Sequence, residues 1–142
     1  MQHSRIVSRF AIAAALDAGI AAGAHAQSDG LPATHQQGDV TYVSGGVGQD
    51  ESTAFQRAES AWPLALRFTG AGGEFLADVH VRIVDAKGAE VLKTDTRGPY
   101  MLVKLMPGRY TVQASYQGKD QTRAVAVPAK GGAKAAFVWG TQ

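Results

Sequence analysis

The sequence predicts an all-β fold: a seven-stranded antiparallel Greek-key sandwich over about residues 64–139, with one short helix on its N-terminal side. Three observations carry this expectation. Short runs of alternating apolar and polar residues recur roughly every 8–12 residues after Pro63. Clusters of Gly, Pro, Asp and Lys separate them as turns. Residues 98–112, Gly-Pro-Tyr-Met-Leu-Val-Lys-Leu-Met-Pro-Gly-Arg-Tyr-Thr-Val, place two alternating segments about a Met106-Pro107-Gly108 corner, where proline fixes one φ and glycine frees the next.

The first 26 residues read as an export signal. Arg5 and Arg9 form a basic start, Phe10 to Ala22 is largely Ala, Ile and Leu, and Ala24-His25-Ala26 has the small-x-small pattern of a cleavage site. Asp17 interrupts the apolar run. A retained membrane anchor, which needs about 20 consecutive apolar residues, and an amphipathic helix are the alternatives. Cleavage after Ala26 implies a periplasmic or secreted protein without a stable membrane anchor, and the absence of Cys rules out a lipid-modified cysteine at the mature N-terminus. The chain of 142 residues carries 14 Lys and Arg against 12 acids. Arg5, Arg9 and Asp17 belong to the leader, so the mature charge is nearly balanced. With no dense basic cluster, nucleic acid is not an expected partner.

Residues 27–39 are polar and turn-rich and read as a flexible tail. Residues 40–62 then read as a short strand, a glycine-rich loop and a helix packed on the domain. Val40-Thr41-Tyr42-Val43 is β-prone and stops at Ser44-Gly45-Gly46-Val47-Gly48. Asp50 and Glu51 suit a helix start, where they offset the positive end of the helix dipole. Phe55, Ala58 and Trp62 form one helical stripe. Pro63 ends it, because its ring disfavours helical geometry at Trp62 and it has no N–H. The expected helix runs from about 50 to 62, with Phe55 and Trp62 against the sandwich.

The strands follow in order. Leu64 to Thr69 turns Leu64, Leu66 and Phe68 to one face; Leu76 to Val84 turns Val79, Val81 and Ile83 inward and His80 and Arg82 outward. Asp85-Ala86-Lys87-Gly88 is a hairpin turn into Glu90 to Thr96. Tyr100 to Leu105 is apolar on both faces apart from Lys104, the mark of a central strand covered on both sides. After the Met-Pro-Gly corner come a strand to Tyr116, another from Gln121 to Val127, and the last from Ala133 to Trp139. The expected core includes Leu66, Phe68, Val79, Val81, Ile83, Leu102, Leu105, Tyr110, Val112 and Phe137.

The 98–112 segment resembles the G-x-Y/F-x-l-x-x-L-x-P-G-x-Y-x-V signature of carboxypeptidase regulatory-like domains, which have a prealbumin (transthyretin-like) sandwich. The likeness extends over about residues 64–139. The chain also looks like small exported proteobacterial proteins that carry a Y-x-S-G-G-V-G segment, here Tyr42 to Gly48, before a helix and this domain. The resemblance implies architecture and no set activity. Some prealbumin-fold proteins are hydrolases using His and Arg, and intradiol dioxygenases of related architecture bind iron through two Tyr and two His. This chain lacks the C-terminal Tyr-Arg-Gly-Ser of the first and the histidines of the second.

Little in the sequence points to catalysis. Of four His, only His80 lies in the expected domain, and its alternation with Val79 and Val81 places it toward solvent. Asp78, Asp85, Glu90 and Asp95 lack calcium-loop spacing and read as strand-end and turn acids. No enzyme, metal or cofactor is expected. The glycines before the helix match neither phosphate-loop pattern, and Asp50 and Glu51 would repel a phosphate. Tyr100, Tyr110, Tyr116, Phe137 and Trp139 are candidates to stack on sugar, with Trp139 the nearest to the chain end. The expected role is a non-catalytic exported binding or structural module of the cell envelope, with an envelope protein or a glycan as the partner classes left open; a carbohydrate-binding-like accessory domain is the alternative, and a small hydrolase the third. Ser44, Gly45, Gly46, Val47 and Gly48 are the candidate partner surface, as an exposed loop held at its rim; the competing reading makes them only a joint.

Overall fold

The computed structural model describes residues 30–140, so the expected leader over residues 1–26 lies outside the described residues. The described residues form nine strands: β1 His35–Gln37, β2 Val40–Gly45, β3 Leu64–Gly70, β4 His80–Asp85, β5 Glu90–Asp95, β6 Tyr100–Lys104, β7 Gly108–Tyr116, β8 Lys119–Val127 and β9 Ala133–Trp139. Between β2 and β3 lies the helix α1, Gln49–Ala58, continued by a 3₁₀ turn over Glu59–Ala61. The strands make two sheets, β1-β2-β6-β3-β9 and β5-β4-β7-β8.

The count is nine and not the expected seven, and one pairing differs in direction. β1 and β2 form a hairpin, with His35 opposite Tyr42, and β2 joins β6 at Ser44 and Met101. β3 and β9 run parallel, with Leu64 opposite Ala133 and Phe68 opposite Phe137. Adjacent parallel strands need a long connection, and everything from β4 to β8 supplies it. The polar segment expected as a tail therefore contributes a strand, and Leu31 ahead of it is buried. The composition of residues 31–39 hides this because a three-residue edge strand needs only backbone pairing and one apolar anchor.

The alternation of β3, β4 and β7 sends Leu64, Leu66, Phe68, Val81, Ile83, Val112 and Ala114 into one core between the sheets, with Leu92, Met101, Val103, Phe137 and Trp139. β6 is buried on both faces. Met101 and Val103 enter that core, while Tyr100 and Leu102 join Val43, Ala65, Phe55 and Trp62 in a second apolar layer beneath α1. This resolves the two-faced apolarity of the segment: it is the central strand of its sheet. All ten expected core residues are buried except Tyr110, which is half-buried with its hydroxyl donating to the Met106 carbonyl at 2.7 Å.

Helix α1 starts one residue earlier than expected. Gly48 caps it without a side-chain bond, Asp50 and Glu51 fill the first turn, and Arg57 the last. Glu51 reaches back to accept from the Gly46 N–H at 2.8 Å, a displaced form of a capping box. Phe55 is fully buried and stacks on Tyr100, with 5.8 Å between ring centres. The helix relaxes into a 3₁₀ turn before Pro63, as helix ends often do. No helix among the described residues is long and apolar enough to cross a membrane.

Candidate functional site

The glycine-rich segment is structural for most of its length. Ser44 and Gly45 belong to β2, and Ser44, Gly45 and Gly46 are buried. Ser44 Oγ accepts from the Arg97 N–H at 3.0 Å, which pins the turn before β6. Gly46 has φ +94, and a Cβ there would lie 2.4 Å from a ring carbon of Tyr100. Glycine is needed at this position because the backbone passes over the Tyr100 face. Only Val47 and Gly48 face solvent, so the expected exposed loop shrinks to two residues. Tight packing of aromatic Tyr100, remote in sequence, is the reason.

A different surface remains open. The outer face of β1-β2-β6-β3-β9 is partly covered by α1, whereas among the described residues no element packs over the outer face of β5-β4-β7-β8. Register aligns its outward residues into two rows across four strands. One row runs Asp95, His80, Ser115, Asp120; the next runs Lys93, Arg82, Gln113, Thr122. These eight side chains line a groove of about 660 Å³.

The strands position these groups, and several also hold one another. His80 Nδ1 is hydrogen-bonded to Asp95 Oδ1. Arg82 donates through Nε to Glu90 Oε1 at 2.7 Å and through a terminal nitrogen to Gln113 Oε1 at 3.1 Å. The second contact fixes the Gln113 amide with its NH₂ free to donate. Among the described residues the side chains of Lys93, Ser115, Asp120 and Thr122 have no hydrogen bond or ion pair with protein. The groove thus offers a fixed guanidinium, a free ammonium, a free carboxylate, an oriented imidazole and neutral hydroxyl and amide groups.

Asp95, His80 and Ser115 are the residue types of a nucleophilic triad in the right order. The arrangement lacks its other requirements. The His80 and Asp95 side chains are 66% and 62% exposed, and no hydrogen bond joins His80 to Ser115. Backbone of β4 and β7 is committed to ladder pairing on both sides, which leaves no convergent amides for an oxyanion. Nor do three His, Asp or Glu side chains converge as metal ligands among the described residues.

The aromatic residues expected to meet sugar are placed elsewhere. Tyr100 and Phe137 are buried, and Trp139 is buried rather than exposed, its indole N–H donating to the Lys119 carbonyl at 2.9 Å. Tyr116 packs against Trp139, with 5.8 Å between ring centres. Of the five sequence-predicted site residues, none borders the groove. His80 and Arg82 were legible as outward-facing from alternation, but the rows also need the pairing order of β5, β4, β7 and β8, which alternation within a strand does not encode. The chain matches no protein-family model and no curated protein.

Proposed function

We propose that this protein is a non-catalytic binding module, exported to the cell envelope, that holds a polar ligand along the open face of β5-β4-β7-β8. The single observation that carries the reading is the aligned double row from Asp95 to Asp120 and from Lys93 to Thr122, with four of its groups unpartnered. Exposed polar residues on a solvated sheet face are ordinary. Reciprocal fixing of Arg82, Gln113 and Glu90 beside free donors and acceptors is what supports a site, because orientation before binding lowers the entropic cost of association.

The prealbumin-like, carboxypeptidase regulatory-like assignment belongs to the same proposal. It is supported by the corner at Met106-Pro107-Gly108, where the Tyr110 hydroxyl bonds back to Met106 in the manner of a tyrosine corner in sandwich domains. A carbohydrate-binding accessory role is the second reading, favoured by the hydroxyl, amide and carboxylate groups of the rows.

Backbone amide spectra of labelled protein, titrated with a panel of neutral and acidic oligosaccharides and short peptides, test the site. Shifts should concentrate at residues 80–82, 93–95, 113–115 and 120–122, and Arg82→Ala should weaken binding. Binding that leaves these residues unmoved, or no binding by any member of the panel, would overturn the proposal.

A further inference from the structure

We infer that the free edge of β8 is a docking site for an extended polypeptide segment of a partner protein, which adds to β5-β4-β7-β8 as a further strand. The inference goes beyond the polar face and does not depend on what that face holds. It starts from the hairpin between β7 and β8. Gln117 and Gly118 have φ of 51° and 80°, and Tyr116 pairs with Lys119 across them. The turn therefore has two residues, and its closing bond runs from the Lys119 N–H to the Tyr116 carbonyl. Bonding alternates along an antiparallel strand. Gln121, Arg123, Val125 and Val127 accordingly bond to β7, while Asp120, Thr122, Ala124 and Ala126 direct their backbone the other way.

That sets four N–H and four C=O groups in one line, and none has a protein partner among the described residues. The other edges are shorter or are met by side chains. β1 has three residues, the Gln37 amide meets β5 at Lys93, and the Gln121 amide meets β9 at Val138. Long edges are usually blunted by Pro, Lys or a bulge. Residues 120–127 contain neither Pro nor Lys, and their register with β7 is unbroken.

The protective feature that β8 does carry selects its occupant. Arg123 points inward, its guanidinium 5.2 Å from the centre of the Phe137 ring. Two copies of β8 meeting antiparallel with all these groups bonded would set Thr122 against Ala124 and Arg123 against Arg123. The second pair is of the closely spaced kind, where like charges destabilise. A segment of different sequence, neutral or acidic at that position, meets no such penalty.

The outward side chains define the segment further. Asp120 stands at one end of the edge, and Arg109, the cross-strand partner of Ala126, at the other; neither side chain has a hydrogen bond or ion pair among the described residues. Ala124 and Ala126 are small, and with Arg109 and Thr111 they line a hollow of about 410 Å³ beside the edge. The matching segment carries a basic residue opposite Asp120 and an acidic one opposite Ala126, within reach of Arg109. Antiparallel addition, the more stable pairing, puts the acid toward its N-terminus.

The probe is the peptide Glu-Val-Thr-Thr-Val-Thr-Lys, acetylated and amidated, titrated into the purified protein by calorimetry and followed by amide hydrogen exchange. Its odd-numbered residues are those that should exchange bonds with β8. Binding should slow exchange at Thr122 and Ala124. N-methylating the third and fifth peptide residues should lower affinity about tenfold or more, whereas N-methylating the fourth and sixth, whose N–H groups point away from β8, should cost less than about threefold. Exchanging the terminal Glu and Lys should weaken binding. Ala124→Pro should abolish it and leave the melting temperature nearly unchanged, because an edge strand tolerates Pro where its N–H faces solvent. Equal loss from the two methylation patterns, protection confined to other strands, or no binding at about millimolar peptide would overturn the inference, and equal affinity of the charge-exchanged peptide would overturn the roles of Asp120 and Arg109. Sedimentation showing the free protein to be a dimer with its β8 amides already protected would replace the partner segment by a second copy and overturn it too.

Discussion

Replacing Phe55 with Ala tests how the helix is attached to the sandwich. The ring has no solvent exposure and lies in the layer formed by Leu31, Val43, Trp62, Ala65, Tyr100 and Leu102. Its neighbours cannot collapse into the vacated space. Tyr100 is held by the ladders of β6 on both sides and by the Gln56 amide donating to its hydroxyl at 2.9 Å, and Gly45 is backbone of β2. Truncation therefore costs the usual 3–5 kcal/mol for a buried Phe→Ala change, about, of which ~0.5–1.5 kcal/mol is the stacking with Tyr100. For a domain of this size the melting temperature should fall by roughly 10–30 °C. Urea unfolding followed by far-ultraviolet dichroism and by Trp fluorescence measures the loss and shows whether the transition remains single. If α1 detaches first, the helical signal and the Trp62 part of the fluorescence will be lost at lower urea than the Trp139 part, which reports the main core. A loss below about 1 kcal/mol, typical of surface changes at most, would refute the claim that Phe55 anchors the helix.

Two further outcomes follow from the same structure. A Cβ at Gly98 would sit 2.4 Å from the Gly45 carbonyl oxygen, whereas one at the exposed Gly140 meets nothing within 4 Å; Gly98→Ala should lower stability by about 1–3 kcal/mol and Gly140→Ala by no more than about 0.5 kcal/mol, and equal effects in thermal melts would show that the strands can move apart at no cost. Burial, and secondarily the Asp85 carboxylate, raise the pKa of Tyr110 above its ordinary 10.0, so the fold favours the neutral phenol. That contribution is fully present below the unfolded pKa and is lost as pH rises through the folded one; Tyr110→Phe should flatten the loss of stability at alkaline pH, and an unchanged pH profile would contradict the assignment.

The parts of the fold that announce themselves in sequence are those where one physical demand dominates. Period-two alternation places Val81 and Ile83 inward and His80 and Arg82 outward without any knowledge of neighbours. The two apolar faces of Tyr100 to Leu105 reveal a strand covered twice. Phe55, Trp62 and Pro63 mark a helix face and its end. Other features depend on partners far along the chain. β1 exists because β2 is there to pair with it, and nothing in His35-Gln36-Gln37 alone resists a coil. The parallel meeting of β3 and β9 brings together segments separated by most of the domain. Gly45 and Gly46 have the composition of a flexible joint, yet their smallness makes room for Glu51 and Phe55 at the first and for the Tyr100 ring at the second. The proposed site was hidden for the same reason, since its rows are assembled from four strands by register.

The sheet edges explain how such a face can remain open. Exposed edges invite pairing with other chains, but here side chains meet them at particular points. The Gln37 amide both donates to and accepts from the Lys93 backbone, which supplies the free edge of β5, at that residue, with the bonds an additional strand would make. At the opposite side Gln121 donates to the Val138 carbonyl and the Trp139 indole to the Lys119 carbonyl, joining β8 to β9 across the end of the sandwich. β1, the remaining edge, is only three residues long. Two apolar layers hold the structure together, and these side-chain contacts satisfy backbone groups on the β5 and β9 edges. The polar face is thereby relieved of both tasks. A like-charge pair such as Lys93 and Arg82 is then tolerable on a surface where stability does not depend on it, and Gln37, by fixing the Lys93 backbone, holds that pair in register.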